Sequence, residues 1–138
     1  MTIELRTATH DDSDVVRLLD SHVRGAELRR VIDAGRVMVA IDQGMVVALL
    51  RWGLFWDEIP FMNMLVVNDT YRRRGIATRL VDAWETMQRQ QGHTLVLTST
   101  QSDESAQTLY RHLGYVDCGC LILPGDPLEL ILKKALAD

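Results

Sequence analysis

Apolar and polar positions alternate at the start of the chain, where Ile3, Leu5 and Thr7 are separated by Glu4 and Arg6, and this period of two predicts a first strand. The polar stretch His10 to Asp14 then supplies acidic caps for a helix whose apolar face is Val15, Val16, Leu19 and Val23. A second short helix is expected from about Ala26 to Asp33, stopped by Ala34 and Gly35, since glycine is the usual residue just past a helix end. Two apolar, β-branched runs, Val37 to Ile41 and Met45 to Trp52, flank Asp42, Gln43 and Gly44 and predict an antiparallel hairpin. Ile59 to Val67 makes a fourth strand, preceded by a turn at Trp56, Asp57 and Glu58 and ended by Asn68 and Asp69.

Beyond it the period changes. From Gly75 to about Gln91 the apolar residues Ile76, Leu80, Val81, Trp84 and Met87 recur every three or four positions, with Arg79, Asp82, Glu85 and Arg89 on the other face, which predicts an amphipathic helix ended by Gly92. Leu95, Val96 and Leu97 within Thr94 to Thr100 form the continuous apolar run of a strand covered on both faces, so the strand, helix, strand unit implies a parallel pair. Ser102 or Asp103 is placed to cap a further helix through His112, ended by Gly114. Tyr115 to Leu123 and Leu128 to Lys133 complete the chain as two strands around Pro124 to Pro127. The order β α α β β β α β α β β describes an α+β layered domain with a mixed sheet of seven strands, antiparallel in its first half.

With 138 residues, 47% of them apolar and 25% charged, the chain has the composition of one globular domain over residues 1–138, and a disulfide scaffold or a disordered chain is excluded. The net charge of −4 argues against nucleic acid or an anionic membrane as a partner, so an anion site would have to be local. Cys118 and Cys120 are two apart, where a disulfide would be strained, and they read as buried thiols of a reduced compartment. The four histidines lack zinc spacing with each other or with the cysteines, so no metal is expected. The N-terminus has no basic stretch followed by an apolar one, which makes the cytoplasm the expected location.

The sharpest chemical signal joins the fourth strand to the long helix. Arg72, Arg73, Arg74, Gly75, Ile76, Ala77 and Thr78 stand where the first helical N–H groups have no internal partners and the helix dipole is positive, an arrangement suited to a pyrophosphate. Gly75 permits close approach, Ala77 keeps the first turn small, and three arginines add full charge. The loops of nucleoside triphosphate and dinucleotide binding are absent. A second signal is Ala106 and Tyr110, four apart on one helix face, which leave room for a ligand arm beside a phenol; a core tyrosine packed on Leu113 is the alternative.

Together these segments resemble the GCN5-related N-acetyltransferase (GNAT) family. In that family the pattern Gln/Arg-x-x-Gly-x-Gly/Ala binds the pyrophosphate of acetyl-coenzyme A, and here it reads from Arg72 through Gly75 to Ala77. The resemblance implies a sheet with helices on both faces and a splayed parallel pair at its centre, with the main chain of Leu65, Val66 and Val67 pairing with the pantetheine arm. It also implies Tyr110 as the acid that protonates the departing thiolate, within a pattern that Ala106, Gly114 and Tyr115 also fit. Asp103 stands where asparagine is usual.

The activity implied is direct transfer of an acetyl group from acetyl-CoA to a primary amine of a small molecule or peptide, the oxyanion being met by a strand N–H near Val66. Asp57, Glu58, Glu27 and His22 are candidates for accepting the amine proton. Trp52, Phe55, Trp56 and Phe61 cluster around the turn, where an apolar acceptor wall, core packing or a homodimer contact are the open roles. From these, Glu27, Trp56 and Glu58 are the expected acceptor contacts. The alternatives are a longer acyl-CoA, a protein N-terminus as acceptor, or a non-catalytic module using the arginine loop for an acidic ligand.

Overall fold

The computed structural model describes residues 2–136. Its strands are β1 (Glu4–Thr7), β2 (Val37–Asp42), β3 (Met45–Phe55), β4 (Ile59–Val67), β5 (Leu95–Gln101), β6 (Val116–Leu121) and β7 (Glu129–Ala135). Its helices are α1 (Ser13–Leu19), α2 (Gly25–Asp33), α3 (Ile76–Gln90) and α4 (Ala106–His112). This is the element order the hydrophobic pattern predicts. The strands form one mixed sheet in the order β1-β2-β3-β4-β5-β7-β6, in which β4 and β5 run parallel. The chain divides into two compact units, the first up to Gly53 with Asn63–Thr86, the second Leu54–Met62 with the chain from Met87 onward.

In the first unit, β1 pairs antiparallel with β2 and β2 with β3. Gln43 and Gly44 both have positive φ, 49° and 81°, and join Asp42 to its partner Met45 as a two-residue turn of the kind whose twist matches a hairpin. Val37, Val39, Ile41 and Leu49 face Val16, Leu28 and Ile32 of α1 and α2 in one apolar cluster. Trp52, three residues from Leu49 and so on the opposite side of β3, meets Trp84 of α3 edge to face at 6.2 Å. Helices thus cover both faces of this part of the sheet. Trp52 belongs to this core and not to the turn cluster expected from its position in the chain.

Two helix boundaries differ from expectation. α1 stops at Leu19 because the fully buried Asp20 leaves helical geometry and turns its carboxylate inward, so Val23 reaches the core from the following loop. α3 buries Glu85 and Gln88 beside Val81 and Trp84, so its inward stripe is wider than the apolar residues alone define.

In the second unit, Phe61 and Met62 of β4 lie opposite Leu97 and Thr98 of β5, and β5 pairs antiparallel with β7 along its whole length. α4 packs on β5 and begins at Ala106 after Ser105; Ser102 and Asp103 stay outside it. Gln107 instead ties the segment together by donating from Nε2 to Ser102 O at 2.7 Å. Cys118 and Cys120 are exposed, against expectation. They sit on β6, which pairs with β7 at the end of the sheet and is exposed at every position, with a register shift between Asp117 and Gly119. The apolar character of Val116 to Leu121 therefore marks an edge and not a covered strand. No helix of the described residues is long and apolar enough to cross a membrane.

Candidate functional site

The arginine loop is built from the end of β4. Asn68 N donates to Val47 O at 2.8 Å, and Asn68 Oδ1 accepts from the backbone and hydroxyl of Thr70 at 3.1 and 3.0 Å, which turns the chain through a single 3-10 turn at Asp69–Tyr71. Tyr71 donates from its hydroxyl to Asp42 Oδ2 at 2.7 Å and so anchors the turn to the β2–β3 hairpin. Arg73 and Gly75 then take positive φ values of 63° and 77°, and α3 begins at Ile76. A side chain at Arg73 makes that conformation costly, and such local strain is held only where the surroundings impose it.

Above Gly75 the space is open, since a Cβ placed there would meet nothing within 4 Å. The amides of the first turn of α3, which includes Ile76, Ala77 and Thr78, have no partner inside the helix. They and the arginines set a positive field at one corner. The arginines are not equivalent. Arg72 pairs with Asp69 at 2.9 Å, Arg74 stacks over the Tyr71 ring at 5.1 Å from its centroid, and Arg73 is exposed. Leu65, Val66 and Val67, which lead into the loop, are half-buried, and Val66 packs with Met64 on the α1 and α2 core.

In the second unit Tyr110 lies within α4, 5% exposed, with its ring 5.9 Å from that of Tyr115. Burial pushes its phenol above the ordinary tyrosine range; the hydroxyl of Thr98 acts against that shift and the charge of Glu104 adds to it. Tyr110 therefore keeps its proton at neutral pH. Thr98 itself donates from Oγ1 to Met62 O at 3.1 Å. A hydroxyl closing the apolar run Leu95, Val96, Leu97 was the signal for this residue in the sequence, and periodicity alone passes over it.

The expected acceptor contacts lie in the β3–β4 turn and on α2. Trp56 and Asp57 have φ of 57° and 59° in the β3–β4 turn, where Trp56 is exposed and stacks on Phe55 at 4.7 Å. Glu58 directly precedes β4 and lines a 490 Å³ hollow with Asp57, Ile59 and His93. Glu27, on the first turn of α2, is engaged by Arg30. His22 is exposed, its Nδ1 3.8 Å from Oδ1 of the buried Asp20.

A family model described as an acetyltransferase (GNAT) domain matches residues 33–117. No curated protein matches the chain. Among solved structures, a GNAT-family acetyltransferase from Bacillus cereus is 24% identical, with 98% of each chain covered and a TM-score of 0.81. Ard1 from Thermoplasma volcanium is 17% identical over the full length of both chains with a TM-score of 0.90. The acetyltransferase yncA from Salmonella typhimurium, solved with its cofactor acetyl-CoA, is 16% identical, covering 100% of this chain and 96% of its own, with a TM-score of 0.81.

Proposed function

This chain belongs to the GNAT acetyltransferase family, and on that premise we propose that residues 1–138 form one N-acetyltransferase domain that moves an acetyl group from acetyl-CoA to a primary amine of a small molecule or peptide. The observation that carries the reading is the corner at Gly75. There an open space, the unpaired amides of α3 and the Arg72 to Arg74 cluster suit the diphosphate of the coenzyme, and the structurally similar yncA was solved with acetyl-CoA.

In this reading Arg73, Arg74 and the amides of Ile76, Ala77 and Thr78 hold the diphosphate oxygens, and Arg72, braced by Asp69, keeps the loop in shape. The backbone of Leu65, Val66 and Val67 pairs with the pantetheine arm, and an N–H near Val66 meets the oxyanion that forms when a neutral amine attacks the thioester carbonyl. The coenzyme supplies an activated acyl group with a thiolate as leaving group. Tyr110 gives that sulfur its proton, a role its burial suits by keeping the phenol protonated. Glu27, Trp56 and Glu58 are the acceptor-side groups in this reading, with His22 and Asp57 as further candidates for taking the amine proton.

An amine panel incubated with acetyl-CoA, read by release of free thiol, tests the activity. Titration of coenzyme A into the protein tests the corner separately. Thiol release with no amine in the panel, together with no coenzyme binding, would overturn the reading.

A further inference from the structure

Asn63 is the one polar residue of β4, and it is also the one exposed position of that strand. β4 is the fourth of seven strands, where side chains on both faces are expected to be covered. The pairing of β4 with β5 ends one residue earlier, at Met62 and Thr98. On β3, Gly53 shares the face of Arg51 and Leu49, two and four residues back, the face on which Arg51 meets Asp20. A Cβ at Gly53 would lie 3.2 Å from Asn63 Nδ2, and no other atom of the Asn63 side chain comes within 4 Å of that point. The missing side chain therefore makes the space in which the amide lies, with its NH2 end on β3 and its carbonyl oxygen turned away. That oxygen is an acceptor with two lone pairs, presented at an exposed position.

We propose that Asn63 receives the acceptor amine: its Oδ1 accepts one N–H of the incoming amine and so aims the nitrogen lone pair at the thioester. The inference rests on the reading of Leu65, Val66 and Val67 as the track of the pantetheine arm. An arm that starts at the Gly75 corner and passes Val67, Val66 and Leu65 in turn brings its acyl end toward Asn63, two residues, about 7 Å, further along the strand. A neutral oxygen suits the task. The amine attacks only with its lone pair unprotonated, and a carboxylate at this point would favour the ammonium ion. An amide carbonyl orients the N–H without adding that charge. Asn63 itself neither gains nor loses a proton. As the C–N bond forms, the surplus proton of the amine passes to the acceptor-side groups already named.

Two variants at this exposed position separate a substrate contact from a structural one. With the best amine of the panel and saturating acetyl-CoA, Asn63→Ala should lower kcat/KM for the amine about tenfold, while coenzyme A affinity stays within about twofold. Asn63→Asp places a charge where the amine is received, so the pH at which kcat rises should move up by about one unit as the bound ammonium is favoured. Loss of a packing contact alone would leave that pH unmoved. An Asn63→Ala enzyme with the parental kcat/KM for the amine overturns the proposal. So does an Asn63→Asp enzyme whose kcat against pH coincides with that of the parent, or an Asn63→Ala loss matched by an equal loss of coenzyme A affinity. A parent that releases no thiol with any amine removes the transferase reading, and this inference with it. Thiol release by the parent beside an unaffected Asn63→Ala would overturn the role of Asn63 alone.

Discussion

Arg51 Nε lies 2.6 Å from Asp20 Oδ2 in an ion pair whose carboxylate has no exposure to water. The other oxygen of Asp20 accepts the His22 N–H at 3.1 Å, so one carboxylate ends α1, turns the chain toward α2 and ties that turn to β3. Leaving one charge of such a pair buried alone typically costs about 3–5 kcal/mol. Asp20→Ala and Arg51→Ala should each lower the unfolding free energy by that amount, read from urea midpoints. The double variant Asp20→Leu with Arg51→Met should lose less than the two single losses together. Single variants with parental midpoints would contradict the strength assigned to the pair.

At Gly75 the φ of 77° is the constraint, since nothing among the described residues crowds a Cβ there. Gly75→Ala should cost about 1 kcal/mol of stability from the left-handed conformation alone. Gly75→Val should also fill the open space above the first turn of α3, and coenzyme A affinity measured by calorimetry should fall at least about tenfold, a loss of ~1.4 kcal/mol. Equal affinity in the valine variant would show that no ligand approaches this backbone.

Tyr110→Phe should reduce kcat by about 10²-fold or more if the phenol is the acid, with KM for acetyl-CoA little changed. Because burial raises the phenol above its ordinary range, the parent should keep its acid protonated throughout pH 6–9, a window that lies below the ordinary tyrosine pKa of about 10. A fall in kcat within that window that is removed by Tyr110→Phe would assign the wrong pKa to the group.

Arg6 binds Asp12 through two contacts of 2.8 and 2.9 Å, and the Thr9 N–H adds a third at 2.8 Å. The guanidinium first, then the amide, hold the Asp12 carboxyl below the usual carboxylate range in the folded protein. A depressed folded value means that the stabilisation is present above the ordinary carboxylate pKa of about 4 and is lost as pH falls through the folded one. Asp12→Asn should therefore cost about 1 kcal/mol at pH 7, a difference that narrows on acidification below about pH 4. Urea midpoints at pH 7 and pH 3 measure it, and a gap of constant size would refute it.

Much of the fold was legible because the period of the pattern changes with the element. The alternation around Leu5, the runs either side of Gln43 and Gly44, and the three-and-four spacing from Ile76 to Trp84 each specify a backbone type locally. The Arg72 to Ala77 string was legible for the same reason, being contiguous and placed at a strand-to-helix junction. Composition misled at Cys118 and Cys120. Small apolar residues read as buried, and only the pairing order shows that β6 closes the sheet.

What the chain determined by itself was local: which segments become strands or helices, where glycine must turn the backbone, and which stretch carries positive charge into a helix start. The tertiary structure decided which distant groups meet. It set Asp20 against Arg51, thirty-one positions away, Tyr71 against Asp42, and Thr98 against Met62. Periodicity reports the environment of a residue averaged over a face, whereas a hydrogen bond depends on one partner at one distance, and that partner is chosen only when the sheet register and the helix packing are complete.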